Sequence, residues 1–190
     1  DGYCSKASSS YATAHGGSGA ISDQSELRIG QYGTYWYIYR AGVLFDTSSI
    51  GSGSTITQVN LKVYVNYIGD ATNNDLIIKK CDWTGADGFG DILAADADDA
   101  ILFNYADGTG EKTSGNLSTA WVNKTGTTYY GLIAENDNNN SSADYAYCKI
   151  NAADAASGKP VLTVTYTTGG ALLPISMNAG MQNMSGGMRG

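Results

Sequence analysis

Fourteen tyrosines, eighteen acids and a single histidine are the reactive side chains that stand out in this 190-residue chain. The histidine, His15, lies in a Gly/Ser-rich segment and reads as an exposed loop residue. One imidazole cannot supply a His-x-x-x-His zinc pair, and it gives little basis for a Ser-His-Asp triad or a Cys-His protease pair. Gly16-Gly17-Ser18-Gly19 lacks the lysine and the following helix of a phosphate-binding loop. Paired carboxylates are the enzyme chemistry the sequence leaves open, since Glu111, Glu135 and the aspartates could supply a glycosidase pair. Solvated turn acids explain these residues better, and the expectation is a protein without catalytic activity.

Two acidic clusters are candidate calcium sites. One holds Asp96, Asp98 and Asp99; the other runs from Glu135 through Asp137 to Asp144. Calcium takes several oxygen ligands at about 2.3–2.6 Å, which Asp and Asn on irregular backbone can provide. Neither cluster has EF-hand spacing, and an Asx-rich turn is the competing reading. No other cofactor is expected. The tyrosines offer a different chemistry: Tyr32, Tyr35, Tyr37 and Tyr39, with Tyr64 across the sheet, could form a flat platform for sugar rings. Tyrosine is also a favoured strand residue, so packing beneath a loop or a neighbouring subunit is the alternative.

Those tyrosines sit on the most legible element of the chain. From Tyr35 to Arg40 the side chains alternate strictly, and the run then becomes apolar through Phe45, as expected of a strand entering a core. Further strands are expected at Gly2 to Ala7, Ser25 to Gln31, Thr55 to Tyr67, Asp75 to Trp83, 117 to 123, Thr127 to Glu135, Asp144 to Ile150 and Pro160 to Thr167. In the strand from Thr55, Leu61, Val63, Val65 and Tyr67 are expected to share one face. Residues 84 to 115 read as a long exposed crossover with at most a helical turn near 91 to 100. The fold class expected is all-β: a two-sheet antiparallel sandwich, jelly-roll-like, over residues 1–168.

Composition excludes several partners. Lys and Arg number only 11 against 18 acids, a net charge of −7, so a phosphate-tracking nucleic-acid surface is not expected. No apolar run approaches the roughly 18–20 residues that span a bilayer. The start at Asp1 without Met reads as a mature, trimmed or excerpted chain. Cys4, Cys81 and Cys148 fit no zinc spacing; one disulfide plus a buried thiol is the leading expectation, and three buried thiols the other. Asn-x-Ser/Thr sequons begin at Asn116, Asn123, Asn139, Asn140 and Asn183, a slight pointer to export in a chain this rich in Asn.

After Thr168 the composition changes. Leu172, Leu173 and Ile175 lead into a segment that carries all four methionines, Met177, Met181, Met184 and Met188, at offsets matching one helix face. Gly180, Gly186 and Gly187 work against a stable helix. Residues 169–190 therefore read as a C-terminal arm that orders against a partner, with a frayed terminus as the alternative.

Phe45-Asp46-Thr47-Ser48-Ser49-Ile50, then Thr55-Ile56-Thr57 and Leu61-Lys62-Val63-Tyr64-Val65, resembles the pattern of disaggregatase-related (DNRLRE) β-sandwich domains. The closing Lys159-Pro160-Val161-Leu162-Thr163-Val164-Thr165-Tyr166 is similar to that family's last strand, Leu27-Arg28-Ile29-Gly30 to its early strand, and Arg40 to the Arg before its buried run. The similarity covers about residues 1 to 168, with Gly51 where the family usually has Pro. It implies an accessory or structural module of secreted, cell-surface or phage-like proteins, and it brings no catalytic residues. The function expected is a structural or adhesive surface module of an extracellular or virion assembly, acting as a homo-oligomer or with other subunits; the alternative is a carbohydrate-binding module recognising a polysaccharide.

Overall fold

A computed structural model describes residues 1–33, 35–69, 74–95, 100–142 and 145–168, together with the backbone of 172–178 and the side chain of Met177. Its strands are β1 (Gly2–Ser8), β2 (Ser22–Asp23), β3 (Glu26–Tyr32), β4 (Trp36–Asp46), β5 (Thr55–Ile68), β6 (Asp75–Lys80), β7 (Ala100–Asn104), β8 (Gly110–Thr113), β9 (Thr127–Ala134), β10 (Tyr147–Asn151), β11 (Val161–Thr167) and β12 (Leu172–Asn178). They form one curled antiparallel sheet in the order β12-β11-β5-β10-β3-β4-β9-β6-β7, with β1 and β2 attached beside β4 and β8 attached to β5. The protein is all-β.

Curling follows from the two longest strands, each of which serves neighbours in succession. β5 pairs with β11 over Thr55–Lys62 and with β10 over Val65–Ile68. β4 pairs with β3 over Tyr37–Tyr39 and with β9 over Ala41–Asp46. The alternating residues of these strands converge on a single interior: Leu27 and Ile29, Ala41, Val43 and Phe45, Leu61, Val63 and Val65, Leu132, Ile150 and Val164 are buried in one cluster. Burying a side chain of this size contributes about 1.5–3 kcal/mol, which is why period-two segments settle with that face inward.

The outer face of β4 and β9 is covered separately. Gly42 and Gly131 lie directly opposite each other in the register. A Cβ on Gly42 would overlap the Trp83 indole, and one on Gly131 would stand 2.8 Å from Ile92 Cγ1. The glycine pair thus makes room for a second cluster of Ile77, Cys81, Trp83, Ile92 and Ile133. Ile92 belongs to the helix α2 (Gly88–Ala94), whose start is capped by the Asp87 carboxylate accepting from Gly90 N at 3.1 Å and Gly19 N at 2.7 Å. Those two amide donors hold the Asp87 carboxyl below its usual range.

Several expectations need correction. Residues 84 to 115 are not an open crossover: α2, β7 and β8 occupy them, and Phe89, Ile92, Leu102, Phe103 and Tyr105 are buried. The strand expected at 117 to 123 is a single 3-10 turn, Thr119–Trp121, that buries Trp121. Tyr67 leaves the inward face because the β5–β10 register shifts between Lys149 and Ile150, so the residue past the shift points outward. No disulfide forms among Cys4, Cys81 and Cys148. The reason is spatial: Cys148 lies in the main interior, Cys81 in the cluster beneath α2, and Cys4 against a third cluster of Ala14, Ile38 and Phe89. Burial raises all three thiol pKa values, Cys81 and Cys148 to about 12.

Within the segment expected to be an arm, 169–190, residues 172–178 form sheet. β12 pairs along its length with β11, and Met177 packs half-buried against the main interior rather than on a free helix face. Leu172, Leu173 and Ile175 lie on that strand, opposite Thr167, Tyr166 and Val164. Met181, Met184 and Met188 fall outside the described residues.

Candidate functional site

The expected tyrosine platform is only part of a larger surface. β3 and β10 pair so that Gly30 lies opposite Tyr147, while on its other side Gly30 lies opposite Tyr39 of β4. Gly30 has φ +116° and a Cβ there would press on Ala146 O and stand 2.7 Å from Tyr147 Cα, so only glycine lets the strands close at this point. The Tyr39 and Tyr147 rings come within 6.3 Å of each other across it, covering the bare backbone as aromatic neighbours of strand glycines do.

From these two rings the surface extends in every direction. Tyr39 meets Tyr3 at 5.8 Å and stacks on Tyr37 at 6.4 Å; Tyr147 meets Tyr32 at 5.2 Å and Tyr67 at 5.3 Å; Tyr32 meets Tyr145 at 5.1 Å. Seven tyrosines from five stretches of chain are thereby joined. Tyr32, Tyr37, Tyr67 and Tyr145 remain 39–46% exposed, whereas Tyr39 at their centre is buried. Cations border the patch: the Arg28 guanidinium stands 5.7 Å from the Tyr3 ring centroid, and Lys149 Nζ stands 5.5 Å from that of Tyr67. Glu26 orients both, at 3.1 Å from Arg28 Nε and 3.2 Å from Lys149 Nζ.

Two features set this surface apart from ordinary strand packing. Tyr145 has φ +58°, a left-handed conformation that a bulky residue adopts at a cost and that recurs at binding sites. Burial first, and then the hydrogen bond with Tyr67, pushes the Tyr147 phenol up to about 12. Among the residues expected from sequence, Tyr32, Tyr37 and Tyr39 join the surface. Tyr35 stands at the tip of the β3–β4 turn, and Tyr64 lies elsewhere on β5 beside Gly158; neither makes a ring contact among the described residues. Tyr3, Tyr67, Tyr145, Tyr147, Arg28 and Lys149 were not anticipated. The signal available for Tyr147 and Lys149 was their alternation with Cys148 and Ile150; only the strand pairing brings the others alongside.

The histidine is also corrected. His15 closes the helix α1 (Tyr11–His15) with its side chain 14% exposed, and its Nδ1 lies 2.9 Å from Asp137 Oδ1. Asp137, on the turn α3 (Glu135–Asn138), is fully buried and receives Arg40 in a two-pronged contact: Nε to Oδ2 at 2.6 Å and Nη2 to Oδ1 at 2.9 Å. Arg40 Nη1 and Nη2 also donate to the carbonyls of Phe89 and His15, both at 2.9 Å, and the guanidinium lies 3.9 Å from the Phe89 ring centroid. Asp137 was a candidate calcium ligand; both of its oxygens are instead directed at Arg40 and His15. Asp96, Asp98, Asp99 and Asp144 lie outside the described residues. Among the described residues no group of three or more His, Cys, Asp or Glu side chains is placed to hold a metal ion, and no helix is long and apolar enough to cross a membrane.

Comparison of the chain with protein-family models, curated proteins and solved structures gives no match.

Proposed function

We propose that this protein is a non-catalytic adhesive module on the outside of a larger extracellular or virion assembly, and that its tyrosine surface grips polysaccharide. The continuous array of seven tyrosines carries the reading. Phenol rings present flat apolar faces to the C–H edges of pyranoses while their hydroxyls meet sugar hydroxyls, and the pairing of strands holds them rigid before any ligand arrives. Resemblance of residues 1–168 to disaggregatase-related β-sandwich domains agrees with an accessory module. We further propose that the curled sheet closes into the two layers of a sandwich, with β4 and β5 passing from one layer to the other, and that β12 with the methionine segment beyond it joins the module to its neighbours.

The test is retention on a panel of soluble and insoluble polysaccharides by affinity electrophoresis and pull-down. The parent should be retained by at least one, and the double variant Tyr67→Ala/Tyr145→Ala should bind at least about tenfold more weakly, as expected for losing exposed aromatic anchors. No retention by the parent, or equal retention by both proteins, removes the proposal.

A further inference from the structure

A second site lies away from the tyrosine surface. Where β6 ends, Lys80, Cys81 and Asp82 face the segment Ala120–Asn123 and the start of β9, Thr127–Tyr129, across an open cleft of about 410 Å³. Binding clefts for small ligands begin at about 300 Å³. Aromatic side chains line it: Trp121 and Tyr129, the latter braced edge-on by Trp83 at 6.1 Å and 90°.

The wall opposite Lys80 is rigid. Thr47 Oγ1 bonds Asn123 O at 2.6 Å, Gly126 O at 2.8 Å and Thr128 Oγ1 at 2.7 Å, while Thr128 Oγ1 accepts from Asn123 N at 2.9 Å. Lys124 clamps the same turn onto the 51–54 loop through the carbonyls of Ser52 and Ser54, at 3.0 and 2.8 Å. A turn held by this many bonds loses little freedom when a ligand binds.

The polar groups left over on residues that line the cleft define the ligand. Lys80 Nζ has no partner among the described residues. Asp82 commits Oδ1 to Thr84 N and Thr84 Oγ1, at 3.1 and 2.6 Å, leaving Oδ2 as an acceptor. Asn123 commits Oδ1 to Thr125 N and Thr125 Oγ1, at 3.2 and 3.3 Å, leaving its amide Nδ2 as a donor. One cation, one anion and one neutral donor are thus carried by residues that line the cleft together with Trp121 and Tyr129. An anionic ligand gains from Lys80 but is opposed by Asp82, and a cationic ligand meets the reverse. A neutral polyol satisfies all three, because each hydroxyl both donates and accepts. We infer that this cleft is a binding site for one or two residues of a neutral saccharide, with Asp82 accepting from, and Lys80 and Asn123 donating to, hydroxyls of a sugar ring whose C–H face stacks against Tyr129.

This site is independent of the tyrosine surface, and its test keeps the two apart. Saturation-transfer NMR and calorimetry would use glucose, galactose, mannose, N-acetylglucosamine and their disaccharides, with glucuronate and glucosamine as charged comparisons. At least one neutral sugar should bind in the millimolar range and in preference to both charged ones. Lys80→Ala and Asp82→Ala, both at exposed positions, should each weaken it about tenfold, the effect of losing a hydrogen bond to a charged group. Tyr67→Ala/Tyr145→Ala should bind the same sugar as the parent does. The inference is overturned if no neutral sugar binds, if a charged sugar binds best, or if the cleft variants match the parent. Loss confined to the tyrosine variant overturns it too, while leaving the tyrosine surface as the sugar site.

Discussion

Asp137 joins three stretches of chain through one carboxylate: its own turn, the end of α1 through His15, and the middle of β4 through Arg40. Removing two charges from water is costly, and the short two-pronged geometry with the extra bonds from Arg40 to Phe89 O and His15 O is what offsets that cost. Neutralising one partner should therefore be far worse than replacing both. Asp137→Asn should lower unfolding free energy by about 3–5 kcal/mol in urea titrations, because it leaves a buried guanidinium without its counter-charge. The double variant Arg40→Met/Asp137→Leu should recover a large part of that loss. Equal losses in the two variants, or a loss below about 1 kcal/mol in the first, would show the pair to be a minor contributor. Arg40 was legible as a polar residue entering an apolar run; its partner was not, since 97 positions separate the two and nothing local marks Asp137 as buried.

At the scale of elements, the Gly42–Gly131 pair decides how α2 and the Trp83 loop sit on the sheet. Side chains there would lift both. Gly42→Ala places a methyl in the Trp83 ring and should cost about 1–3 kcal/mol, the usual range for overfilling a packed site, seen as a lower thermal midpoint. An unchanged midpoint would mean that the loop repacks freely. The same pair explains why residues 84 to 115 were misread. Phe89 and Ile92 are separated by Gly90 and Asp91 and buried in two different clusters, Phe89 with Ala14 and Ile38 and Ile92 over Gly131, so no period appears in the sequence. Half-buried strands such as β5 and β11 announce themselves because one face is core and the other water. Where pairing shifts register, as at Tyr67, alternation points to the wrong face. The candidate surface suffers from the same blindness: three of its tyrosines sit on the legible β3–β4 stretch, and the other four arrive through β1, β5, β10 and the position two residues before β10.

For the whole molecule, tyrosine ionisation links structure to alkaline pH. Burial raises the phenols of Tyr11 and Tyr147 to about 12, and moves those of Tyr105 and Tyr130 upward as well. In the unfolded chain a tyrosine ionises near about 10. Each raised group thus adds stability that is complete below about pH 10 and is lost as pH rises through its folded-state value. Tyrosinate absorbance and circular dichroism followed together should separate two events: exposed rings ionising first with the fold intact, then the remainder ionising as the structure collapses. A single ionisation step near pH 10 with no loss of ellipticity would contradict this.

The pairing of β5 has a further consequence, for synthesis. Its main neighbours, β10 and β11, are made roughly 80 to 110 residues after it, and only the short β8 that pairs with Lys62–Val65 comes sooner. A nascent chain therefore carries a long, half-apolar ribbon that only the short β8 can partly cover until β10 and β11 have been made. Closure by contacts so distant in sequence is slow, and the waiting ribbon invites clumping.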